Sequence, residues 1–173
     1  RSSPSATSGS PPPAGPLPES CSALRNPENG AHAVKAAGDW DGKTYVWPVR
    51  VYYHHTDAGG VVYHGTYLDF MEAARTELLH ALGFDLAELV ARHAVLFMVY
   101  GLSVDYHKPA RLNERLRVTA TIAHAGRVRI DFDQRVLRGD EVLVSARVKA
   151  ACVHPQTFKP IALPEALREK FQK

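Results

Sequence analysis

A single long amphipathic segment, then one short helix, then an unbroken series of strand-like runs: this order limits the fold more than any other feature of the chain. From about Gly65 to Ala81 the residues Tyr67, Phe70, Met71, Ala74 and Leu78 recur at three- and four-residue spacing, which predicts a helix with one apolar stripe turned to a core. Asp69, Glu72 and Thr76 mark its other side, with Glu72 and Arg75 spaced for an i,i+3 ion pair. Gly83 stands where a C-cap glycine would, and Asp85 with Glu88 reads as a capping box for a second helix, Leu86 to Arg92.

The strands come next. Val95 to His107 alternates Leu102, Val104 and Tyr106 against Ser103 and Asp105. Glu114 to His124 puts Leu116, Val118, Ala120 and Ile122 on one face and Arg115, Arg117, Thr119 and Thr121 on the other. Arg127 to Leu137 sets Val128, Ile130, Phe132 and Val136 against Arg129, Asp131, Asp133 and Arg135. Arg138-Gly139-Asp140 turns the chain into Glu141 to His154, and Pro164 to Phe171 suits a short last helix. Ahead of the long helix, Tyr45 to Tyr53 reads as a first strand, with Pro48 at an edge. Strands with one polar face each cannot bury both sides, so the expected architecture is α+β: a long helix wrapped by a five-stranded antiparallel sheet.

Composition sets the limits of this domain. Residues 1 to 44 hold Pro4, Pro11, Pro12, Pro13, Pro16 and Pro18 among Ser, Ala and Gly, too little apolar surface to offset ordering entropy, so they read as a disordered tail before a 45–173 domain. Trp40 and Trp47 are expected to dock on that domain. The 173 residues carry a net charge of +3, without the dense Lys/Arg runs of a nucleic-acid binder. Only Cys21 and Cys152 are present, which argues against a disulfide framework and for a reducing, cytoplasmic setting. No apolar run is long enough for a membrane span, and the N-terminus lacks the apolar core of a signal peptide.

Chemistry concentrates where the first strand meets the helix. Thr56-Asp57 runs into the tight turn Ala58-Gly59-Gly60, and Tyr63-His64-Gly65 opens the helix. A helix start offers unpaired N–H groups and the positive end of a dipole to an oxygen gaining charge. A carboxylate beside it can attack an acyl carbonyl or take a proton from a water that does. Acyl transfer is therefore the expected reaction class.

The stretch from Trp47 to Leu79, with its pattern Y-x-x-T-D-x-x-G-x-V-Y-H-x-x-Y, resembles the hotdog-fold acyl-CoA thioesterases of the 4-hydroxybenzoyl-CoA thioesterase type, most closely the YbgC group encoded beside the Tol-Pal system. The likeness continues through Val104-Asp105-Tyr106-His107-Lys108-Pro109-Ala110-Arg111-Leu112 and on to Cys152-Val153-His154-Pro155 and Lys159-Pro160. It implies a hotdog fold that hydrolyses acyl-CoA to free acid and CoA, with Asp57 as catalytic carboxylate and the His64 backbone N–H as oxyanion donor. It implies homodimers or homotetramers with sites at the subunit interface, and no cofactor. Tyr53, Gly60, Val62, Tyr63 and Tyr67 belong to the same motif and are its substrate-binding candidates. The chain departs from the pattern at His54-His55, where the group carries acidic residues.

The nucleotide of CoA needs surface cations, for which Lys108, Arg111 and Arg127 are candidates. His54, His55, Asp57 and His64 could be read as metal ligands, but adjacent strand residues point to opposite faces, so no metal site is expected. Two other readings stand beside hydrolysis. One is a hotdog dehydratase of 3-hydroxyacyl thioesters, with His64 and Glu72 acting across a dimer. The other is a binding module for acyl-CoA or an acyl carrier protein, without turnover. Phe70, Met71, Leu96 and Met98 are expected to set pocket depth.

Overall fold

The computed structural model describes residues 38–171. Two short elements open it, strands β1 (Asp39–Trp40) and β2 (Thr44–Arg50). The long helix α1 (Thr66–Ala81) and the short α2 (Leu86–His93) follow. Then come β3 (Leu96–Tyr106), β4 (Arg115–Ala125), β5 (Arg129–Arg138), β6 (Glu141–Val153) and a last helix, α3 (Glu165–Phe171). The six strands make one sheet in the order β1-β2-β4-β5-β6-β3, with every neighbouring pair antiparallel.

The apolar stripe of α1 lies against this sheet. Tyr67, Phe70, Met71, Ala74 and Leu78 are all buried, facing Leu116, Val118 and Ala120 of β4 and Ile130, Phe132 and Val136 of β5 within one core. Each fully buried side chain of the size of Met71 or Leu78 contributes about 1.5–3 kcal/mol. Gly83 adopts a positive φ of 88° just past α1 and Phe84 N–H returns to Leu79 O, which ends the helix as the sequence predicts. Asp85 caps α2 by accepting the Glu88 N–H at 2.8 Å.

Three expectations change. The sheet has a sixth strand, because Asp39 and Trp40, inside the stretch read as tail, pair with Val46 and Tyr45. The rest of that tail, residues 1–37, lies outside the described residues, together with Cys21. Trp40 and Trp47 do pack on the core. The first strand stops at Arg50 rather than Tyr53, since Tyr53–His55 form a 3-10 turn stapled by the His55 ring, whose Nδ1 accepts the Tyr52 N–H at 3.0 Å. Finally, the apolar row of the second predicted strand is largely exposed: Leu102 and Tyr106 are each about half accessible. That strand is β3, which among the described residues pairs only with β6, at the edge of the sheet.

Candidate active site

Asp57 sits at the tip of a small, heavily tied turn. Its Oδ1 accepts the Gly59 N–H at 2.8 Å, its own N–H donates to Val61 O, and the Gly60 N–H returns to Asp57 O at 3.0 Å. Gly60 has a φ of 72°, a conformation that a side chain would resist. A bridge between Thr56 and Val62 closes the turn, and Val61 pairs in turn with Arg111. The carboxylate is therefore exposed yet held in a fixed direction.

Five residues on, the chain enters α1. The N-cap position is Gly65, with no side-chain cap, and the His64 and Gly65 N–H groups meet no acceptor among the described residues. Tyr106 fixes the orientation of this peptide by donating its hydroxyl to His64 O at 3.0 Å. The Tyr63 ring lies against Gly65, so close that a Cβ there would stand 2.8 Å from it. The helix start is thus open and braced, the electrostatic arrangement that stabilises an oxyanion.

A cavity of about 270 Å³ adjoins this end of the helix, lined by Val62, His64, Tyr67, Tyr106, His107, Lys108 and Pro109. Four predicted site residues, Val62, His64, Tyr67 and Lys108, meet here. Gly60 and Tyr63 stand in the adjoining turn beside Asp57. Tyr67 is a core residue with one face on the cavity: its hydroxyl accepts the Ala110 N–H at 2.8 Å, and burial pushes the phenol above its usual range. Tyr53 is 82% exposed on the 3-10 turn and joins neither this cavity nor the core.

The three candidate phosphate cations separate. Lys108 is paired with Glu141, which also binds Arg138 at 2.6 Å; the two cations hold the Glu141 carboxyl below its usual range. Arg111 lies exposed beside the Asp57 turn, and its guanidinium meets no acceptor among the described residues. Arg127 follows the far end of β4, the strand that begins near Arg111, and an eleven-residue strand spans about 35 Å. Within one chain Arg127 is remote from Asp57.

A second cavity, about 370 Å³, opens between α1, α2 and the Leu96 end of β3. Its apolar lining includes Leu79, Val95, Phe97, Ile130 and Phe132, with Glu72, Arg75 and Thr76 at its polar side. Of the four residues expected to set pocket depth, Leu96 lines it; Phe70 and Met71 are core, and Met98 is exposed on β3. The expected Glu72–Arg75 ion pair is replaced: the Arg75 Nη1 donates to Gln134 Oε1 at 2.6 Å, and Glu72 stays exposed. Gln134 went unremarked because it occupies an inward position on β5 among apolar residues, the place where a polar side chain is least expected. His64 precedes α1 and Glu72 lies nearly two turns into it, about 9 Å along the axis from the helix start, so the two do not meet within a chain. No cluster of metal-ligating side chains occurs among the described residues.

Comparison with known proteins places this geometry. The profile of the thioesterase superfamily matches residues 59–145, beginning just after Asp57. The acyl-CoA thioesterase YbgC of Haemophilus influenzae is 42% identical over 127 residues, covering 73% of this chain and 93% of that protein. The acyl-CoA thioester hydrolase YbgC of Escherichia coli is equally similar, covering 73% and 94%. Among solved structures, a probable thioesterase from Bartonella henselae superposes with a TM-score of 0.68 at 31% identity, over 70% of this chain and 99% of that one. A DHNA-CoA thioesterase from Staphylococcus aureus gives 0.70 at 26% identity, over 75% and 89%. With a sheet-wrapped helix, an open helix start and these relatives, the chain belongs to the thioesterase superfamily, in its hotdog-fold branch alongside the YbgC proteins.

Proposed function

We propose that this protein hydrolyses acyl-CoA thioesters to a free carboxylic acid and CoA, with Asp57 as the reacting carboxylate. The observation that carries the reading is the pair of unmet N–H groups at His64 and Gly65, one strand bridge away from the rigid Asp57 turn. The thioester carbonyl oxygen points at the His64 N–H, which stabilises the charge as the carbonyl carbon is attacked. Asp57 either attacks that carbon, expelling the CoA thiolate and leaving an anhydride that water opens, or takes the proton of an attacking water. Both routes consume one water and release one acid and one thiol.

The site is completed by a second copy. β3 carries Met98, Val99, Tyr100, Leu102 and Tyr106 exposed along an unpaired edge. Antiparallel twofold pairing of this edge sets the Leu96 end of one copy beside the Tyr106 end of the other. The 370 Å³ chamber of one copy then faces the His64 amide of its neighbour, and Arg127 of the copy that supplies the chamber approaches the same place. Arg111 and Arg127 meet the CoA phosphates in this assembly. We place the enzyme in the cytoplasm with the YbgC group beside Tol-Pal, acting on acyl-CoA or an acyl carrier protein. Among the described residues no helix is long and apolar enough to cross a membrane.

Asp57→Asn tests the assignment directly. Thiol release from acyl-CoA should fall by about 10²–10⁴-fold with the melting temperature unchanged. A variant retaining near-normal turnover would remove Asp57 from the mechanism.

A further inference from the structure

The 370 Å³ chamber is apolar except on one side, where Arg75 stands with Glu72 and Thr76. The Arg75 guanidinium is half-buried, and burial lowers its pKa against the opposing field of Glu72. Gln134 holds it, and Gln134 is itself only 1% exposed, its Nε2 donating to Met71 O at 3.0 Å and to Thr119 O at 3.4 Å. This anchor holds one end of the guanidinium at the chamber wall. A guanidinium presents five N–H donors. Arg75 uses one of them on Gln134, and the others meet no acceptor among the described residues. No carboxylate pairs with it there.

We propose that Arg75 makes this chamber selective for acyl groups carrying an oxygen acceptor, either a neutral hydroxyl or a carboxylate, that docks on the open edge of the guanidinium. This rests on the reading that the chamber receives the acyl group of a thioester. A plain alkyl chain filling the chamber strips water from the remaining donors and gives them nothing in return. A site built to hydrogen-bond one substrate discriminates against the analogue lacking the group, because its own polar atoms are then buried unpaired. Glu72 and Thr76, at the same mouth, leave the anionic and neutral arms to be separated by measurement.

The test is thiol release by the full-length protein from butyryl-CoA, 3-hydroxybutyryl-CoA and succinyl-CoA, read as ratios of kcat/KM to the butyryl value. At least one oxygenated substrate should be favoured by about tenfold or more. Arg75→Met should bring that ratio close to one, and Arg75→Lys should retain part of it. Gln134→Glu gives the guanidinium a built-in counter-charge and should depress the same ratio even if Arg75→Met fails to fold. A wild-type ratio near one, or a ratio unmoved in the Met and Glu variants, overturns the proposal. Turnover of all three substrates at equal rates, lost in Asp57→Asn, would sink the selectivity and leave the hydrolase reading intact. Release from none of the three, together with none from any other acyl-CoA, would sink both.

Discussion

At one margin of the sheet, β1 covers only Tyr45 and Val46 of β2, and the uncovered remainder carries Pro48, whose missing N–H costs nothing at an edge. At the opposite margin β3 runs for eleven residues with its outer side unpaired, and Met98, Val99, Tyr100, Leu102 and Tyr106 stand exposed along it. Proteins usually blunt a long apolar edge with charge, proline or a covering element. The β2 margin has such a device, while the β3 margin has a register irregularity between Val99 and Gly101 and a single charge, Asp105, near its end. The contrast teaches that one margin ends the sheet and the other invites its continuation.

The strongest way to break this comparison is to charge the open edge. Met98→Lys with Leu102→Lys should convert the proposed two-copy assembly to monomers in sedimentation experiments and lower thiol release by about 100-fold, since like charges across a pairing edge oppose it and, in that proposal, a one-copy site lacks its chamber. Pro48→Lys, at the other margin, should change neither quantity. A doubly charged variant that stays assembled and active would show that β3 is not the joint.

Gly65→Ala should cost about tenfold in kcat, because the added Cβ meets the Tyr63 ring and moves the His64 amide by a fraction of an ångström. An unchanged kcat would mean that this peptide does not hold the oxyanion. Gln134→Leu should lower stability by about 1–3 kcal/mol in denaturant unfolding, since it leaves a half-buried cation without its acceptor. A neutral result would show that Arg75 relaxes to solvent.

The smallest effect concerns pH. Burial first, and the neighbouring His54 second, hold the His55 pKa below the ordinary value of 6.5, with Asp69 opposing. The unfolded chain then binds the proton more readily, so His55 subtracts stability as pH falls below the ordinary imidazole value and contributes none of that loss well above it. Melting temperature should drop on acidification through this window, and His55→Gln should flatten the drop. Equal slopes in both proteins would discount the residue.

Much of this was legible in the residues. The α1 stripe and the alternation in β4 and β5 are local patterns whose periods follow directly from helix and strand geometry, and the Asp57-to-Gly60 turn carries its own side-chain and glycine signals. What escaped depended on distant partners. Asp39 and Trp40 form a strand only because β2 offers them an edge. Arg75 abandons Glu72, its neighbour on the helix, for Gln134, which lies 59 residues away. Arg127 looked like a companion of Lys108 and Arg111 because sequence proximity hides which end of a strand a loop occupies.

The Tyr63 ring packed on Gly65 has a consequence for how this site can decay. Most helices with an uncapped start can be stabilised by one substitution to Ser or Asp at the N-cap, which gains about 1 kcal/mol by accepting the N–H of the second or third helical residue. Here a side chain at position 65 meets the Tyr63 ring at 2.8 Å, so adding a cap also displaces that ring. Gaining a cap at this end of α1 is thereby coupled to moving the ring that lies against the His64–Gly65 peptide, so thermal stability and the placement of the reactive amide are tied together at one position.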